Sequence, residues 1–173
     1  MPIAVCEQCM PQVGVTANQK GALGESLILH GQTIPEPLSE TIESFVKSTY
    51  DVAPETPVDL SQDHALYLNV STGEGDTVST RMDGAVAAKW VPAERAAEIT
   101  RTPGGQIQRK WELMSESAMF PIEVKTGEYA ELERNQREIL ETVAKANTRE
   151  HPLVVYVTIE QLPEQYELVV NII

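Results

Sequence analysis

Positive charge is scarce in this chain, and scarcest over residues 1–80, where Lys20 and Lys47 are the only cations and no arginine occurs. The whole chain sets 13 Lys and Arg against 26 Asp and Glu, for a formal net charge of -13. A field of that sign repels phosphate backbones and anionic membranes at long range. Direct nucleic-acid binding and membrane binding are therefore not expected. Aromatic residues make up only 5% of the chain, which leaves no obvious stacking platform for unpaired bases.

Long apolar runs are also missing. None approaches the ~20 residues that a membrane helix needs, and no basic segment followed by an apolar one marks a secretory signal. A cytoplasmic location is expected. Cysteine is limited to Cys6 and Cys9, too close together for a structural disulfide framework.

Against these absences stands an ordinary globular composition, 42% hydrophobic and 23% charged over 173 residues. That length supports one sizeable core. The expectation is a single α+β domain over 1–173, with a mostly antiparallel sheet, β-hairpins and two main amphipathic helices, about 37–52 and 129–147. Leu38, Ile42, Phe45 and Val46 recur at helical spacing in the first helix, and Leu132, Ile139, Leu140 and Val143 do so in the second. Strands are expected at 26–30, 65–70, 119–125, 153–160 and 166–173. Asp83-Gly84 predicts a two-residue hairpin between 77–82 and 85–91, and Pro103-Gly104-Gly105 a second one. Thr16 and Gln19 have the spacing of a capping box, with Gly21 and Gly24 arguing against a helix there. The last strand is continuously apolar, which predicts a central place in the sheet or cover by another subunit.

The chemical signals are sparse. Cys6 and Cys9 have the spacing of half a zinc site, with His30 or His64 as further ligands, but a second closely spaced pair is missing. Met1-Pro2-Ile3-Ala4 resembles the start of the tautomerases, which implies a Pro2 amine acting as base once Met1 is removed; Gly127 is followed by Glu128, where that chemistry would want a cation. His30, His64 and His151 are the only imidazoles, and no nucleophile elbow or His-x-x-x-His pair accompanies them. No catalytic residue and no cofactor is called for.

These features point to a non-catalytic assembly or protein-interaction subunit, of the phage-structural kind. It would self-associate or bind a protein partner through sheet edges and the apolar residues Leu168, Val170 and Ile172. The alternative is an acidic, DNA-mimicking inhibitor that covers a basic site with Glu36, Glu40, Glu43, Asp51, Glu55, Asp59 and Asp63. A small enzyme using Pro2 or a Cys6/Cys9 metal site comes third.

Overall fold

The computed structural model of the chain describes residues 16–63, 66–71, 77–92, 95, 115–127, 130–146, 149–161 and 165–173. Helix α1 (Ala17–Leu29) opens on the Thr16–Gln19 capping box: the Gln19 N–H donates to Thr16 Oγ1 at 3.3 Å, and Gln19 Oε1 accepts the Thr16 N–H at 2.8 Å. This helix occupies the segment expected as a strand at 26–30. Three apolar residues, Leu27 to Leu29, are too few to tell strand from helix by periodicity, and the cap decides the matter. Gln62 Nε2 then closes the far end by donating to the Ile28 carbonyl at 2.8 Å.

Helix α2 (Glu36–Thr49) starts behind Pro35 and buries Leu38, Ile42 and Val46, the stripe that the sequence marks. The strands are β1 (Asp59–Asp63), β2 (Tyr67–Ser71), β3 (Thr77–Arg81), β4 (Gly84–Trp90), β5 (Glu116–Thr126), β6 (Leu153–Gln161) and β7 (Gln165–Ile172), and helix α3 (Arg134–Ala146) lies between β5 and β6. Five strands form one sheet in the order β1-β4-β5-β6-β7, and β2 with β3 forms a separate ribbon. All pairs are antiparallel except β5 with β6, which run parallel across the connection that carries α3. The chain is thus an α+β fold, with a third helix beyond the two expected.

Two local expectations need correction, and a third falls on residues the structure does not describe. Asp83-Gly84 is not a hairpin turn: β3 pairs with β2, while β4 pairs with β1 and β5. The residues instead carry the chain from the ribbon into the main sheet, where the Asp83 N–H donates to the Ile122 carbonyl at 3.0 Å. β7 is an edge strand of this chain's sheet rather than a central one. Its Leu168, Val170 and Ile172 pack on the chain's own core, while Tyr166 and Val169 are exposed. The hairpin expected at Pro103 lies outside the described residues.

Alternation along β5 and β6 splits the interior in two. Phe120, Ile122, Val124, Leu153, Val155 and Val157 join Ile28, Leu38, Ile42, Val46 and Trp90 beneath α1 and α2. Val154, on the opposite face, joins Leu68, Met82, Leu132, Leu140 and Val143 beneath α3 and the ribbon. The intervening residues of β5, Glu123 and Lys125, therefore face the α3 side. Among the described residues no helix is long and apolar enough to cross a membrane.

Candidate functional site

One polar cluster sits where α1, the start of β4, the end of β5 and α3 converge. Glu123 is only 6% exposed, between the buried apolar residues Ile122 and Val124. A carboxylate so placed must be paired or hydrogen-bonded, because burying it alone costs several kcal/mol. Lys125, two residues on and so on the same face, donates to Glu123 Oε1 at 2.8 Å. Gln136 of α3 bridges the pair: its Oε1 accepts from Lys125 Nζ at 3.1 Å, and its Nε2 donates to Glu123 Oε1 at 2.9 Å.

Asp83 reaches the same place from the other side. Pairing of β4 with β5 stops at Gly84 and Ile122, and the next outward donor, the Val124 N–H, is taken by Asp83 Oδ2 at 2.8 Å. A side chain thus finishes a ladder that the backbone leaves open, which fixes the Asp83 carboxylate beside the Glu123-Val124-Lys125 step. The remaining carboxylate oxygens, Asp83 Oδ1 and Glu123 Oε2, accept none of these bonds.

Glu25 on α1 completes the set, and two glycines put it there. A Cβ on Gly24 would lie 1.9 Å from Thr126 Oγ1, and one on Gly84 would lie 2.5 Å from Leu29 Cδ2. At Gly24 the neighbour is the short Thr126 side chain, so a larger residue there would push α1 off the end of β5, whereas at Gly84 the flexible Leu29 side chain would have to move. Partial burial raises the Glu25 carboxyl above its ordinary pKa, the like charges of Asp83 and Glu123 add to the rise, and Arg81 and His30 oppose it. Three carboxylates therefore share one field, with Lys125 the cation paired among them.

The donor set suits a hard divalent cation. Oxygen ligands favour magnesium or calcium over zinc, and magnesium is held by one or two carboxylates together with water and substrate phosphate rather than by an all-protein cage. That is the donor chemistry of Asp83 and Glu123; among the described residues no three His, Cys, Asp or Glu side chains form a metal cage.

None of the residues singled out from the sequence is among the five of this cluster. Pro2, Cys6, Cys9 and His64 fall outside the described residues. His30 caps the end of α1, exposed, at the rim of the cluster. Glu36, Glu40 and Glu43 are on α2, Asp51 and Glu55 follow it, and Asp59 and Asp63 are on edge strand β1. His151 packs among Phe45, Tyr50 and Phe120 and shares a hydrogen bond with the Tyr50 hydroxyl. Glu25, Asp83, Glu123, Lys125 and Gln136 went unnoticed. A signal for two of them exists, since an acid and a lysine two apart inside an apolar strand must share one face.

A family model for the PD-(D/E)XK nuclease superfamily domain matches residues 18–173. Glu123-Val124-Lys125 has the acid-x-Lys spacing that this name spells out, and Asp83, preceded by Met82 and not by proline, is an aspartate beside it. Among solved structures, the crystal structure of SSO0001 is similar at 14% identity and a TM-score of 0.28, over 78% of this chain and 48% of that one. This chain thus spans about half of that protein's length. No curated protein matches.

The family match overturns two expectations, that of a non-catalytic assembly subunit or acidic inhibitor and that of no direct contact with nucleic acid. Pro2, Cys6 and Cys9, on which the third reading rests, precede the matched residues and lie outside the described ones. A net charge that sums 26 acids over the whole chain does not describe the field at one place on its surface. With 156 of its 173 residues covered by that model, and the acid-x-Lys step and the aspartate meeting at one place, the chain belongs to the PD-(D/E)XK nuclease superfamily.

Proposed function

We propose that this chain hydrolyses phosphodiester bonds of nucleic acid at the cluster formed by Asp83, Glu123 and Lys125, with Glu25 and Gln136 beside them. The observation that carries the proposal is the Glu123–Lys125 step on one buried strand face, with the Asp83 carboxylate docked on the peptide N–H between them. A divalent cation held by Asp83 and Glu123 would supply charge neutralisation at the phosphate and acidification of a bound water.

The chain's own groups account for the remaining demands. The Lys125 ammonium is a fixed positive charge for the phosphate oxygens on which negative charge builds during hydrolysis. Gln136 holds both members of the ion pair at once, so that neither swings away when the phosphate arrives. Glu25, at the open side of the cluster, is a carboxylate able to accept a proton from an attacking water.

The test is cleavage of end-labelled DNA and RNA in magnesium or manganese. Wild type should cut and lose its activity in excess chelator, and Glu123→Gln should lose at least about a thousandfold, within the range seen when a charged group at a reacting centre is removed. Cleavage that survives both chelator and the substitution would remove this cluster as the reacting site.

A further inference from the structure

The β2–β3 ribbon differs from the rest of this acidic chain. Its register pairs Tyr67 with Arg81, Asn69 with Ser79 and Ser71 with Thr77. Residues directly opposite each other in a ribbon share a face, and Leu68 turns inward to the core under α3. Tyr67, Asn69, Thr77, Ser79 and Arg81 are all exposed, so the outward face carries an aromatic ring, an amide, hydroxyls and a guanidinium. No acid lies on this face among its described residues, in a chain of net charge -13.

Tyr67 is the most exposed large apolar side chain among the described residues, at 65%. It stands across from the first arginine in the sequence. Arg81 makes no ion pair with a described residue, and it lies two positions before Asp83. It ends β3, so the backbone holds it at the end of the ribbon nearest the cluster, where its charge also acts on Glu25.

We propose that this ribbon face binds an unpaired nucleotide strand next to the cleavage site, Tyr67 stacking on a base and Arg81 contacting the phosphate beside it. The inference rests on the cleavage reading above and narrows it to single-stranded substrate or frayed ends. A ring standing alone on a ribbon can reach the face of an unpaired base, whereas bases in an intact duplex are stacked on each other and present only edges. Arg81 offers a planar fork matched to phosphate oxygens.

The experiment is fluorescence anisotropy of a labelled single-stranded DNA, its matched duplex and the matched RNA strand, in chelator, across a salt series, followed by cleavage in magnesium. Tyr67→Ala should weaken single-strand binding about tenfold, Tyr67→Phe should restore it, and duplex binding should move little. Arg81→Ala should weaken binding and flatten its dependence on salt by about one unit of logarithmic slope. Equal losses on DNA and RNA would assign the contact to base face and phosphate; losses on one alone would add a sugar contact to them. Wild-type-like single-strand binding by both variants, or equal weakening of duplex and single strand by Tyr67→Ala, would overturn the inference while leaving cleavage intact. A wild type that neither binds nor cuts any of the three would overturn the cleavage reading as well.

Discussion

The two ends of β5 carry ion pairs of nearly equal length, Lys125 with Glu123 at 2.8 Å and Arg149 with Glu116 at 2.6 Å, yet they stand in opposite surroundings. The first is buried, and the Asp83 carboxylate is bonded to the peptide N–H between its two members. The second lies at the surface, its guanidinium 4.8 Å from the Tyr50 ring centre and 5.6 Å from that of Trp90. Around it Tyr50 stacks on Trp90 at 4.6 Å, and Phe45 meets Phe120 edge-on at 5.8 Å. Distance alone therefore says little about what an ion pair does. On the function proposed above, clustered carboxylates make the Glu123 end a place for a cation and a phosphate, whereas packed rings make the Glu116 end a holder of the fold.

The sharpest way to break that contrast is to damage the aromatic end. Phe120 is fully buried, so Phe120→Ala should cost about 3–5 kcal/mol of stability in urea unfolding. The fraction that remains folded should cleave at the wild-type rate. A variant that stays stable but stops cutting would show the two ends to be one functional unit.

A smaller effect is expected from Arg149→Ala, which removes a half-exposed ion pair and two ring contacts. Its stability loss should be about 1 kcal/mol or less. Tyr50 gives a second reading at this end: burial holds its hydroxyl above its ordinary pKa, Arg149 draws it down and Glu116 pushes it up. Removing Arg149 should therefore shift the Tyr50 titration further upward, as followed by ultraviolet absorbance.

The smallest effect sharpens the comparison at the other end. Because the folded chain raises the Glu25 carboxyl, the fold favours its protonated form, and stability is lost as pH climbs through that raised value. Glu25→Gln should then melt slightly above wild type at about pH 7.5, and the two should melt together near pH 4. Added magnesium should shrink the difference at the higher pH by stabilising the wild-type carboxylates. A variant that melts lower at every pH would mean that Glu25 supports the fold instead of straining it.

Much of the scaffold was legible because it rests on local rules. The stripe of Leu38, Ile42 and Val46 gave α2, that of Leu140 and Val143 gave α3, and the runs at β5, β6 and β7 were apolar enough to read as strands. The α1 helix was misread because a cap at Thr16 was weighed against Gly21 and Gly24. Those glycines do not break the helix: Gly24 is the surface by which it meets Thr126. The site was illegible for a different reason. Glu25, Asp83, Glu123 and Gln136 come from α1, the start of β4, β5 and α3, and only a parallel β5–β6 crossover with α1 packed close brings them together. Asp83-Gly84 even carried a misleading local signal, since a turn dipeptide and an aspartate that takes the Val124 N–H look alike in sequence. The -13 net charge misled in the same manner, by averaging over a surface on which one ribbon face bears Arg81 and no acid.

The most direct measurement compares the two ion pairs in a single assay: magnesium-dependent cleavage of labelled nucleic acid by wild type, Lys125→Ala and Arg149→Ala at matched folded concentration. The account predicts that Lys125→Ala loses at least about a hundredfold while Arg149→Ala cuts as fast as wild type. Equal rates for wild type and Lys125→Ala would contradict it, because the charge at the Glu123 end of β5 would then have no part in the reaction.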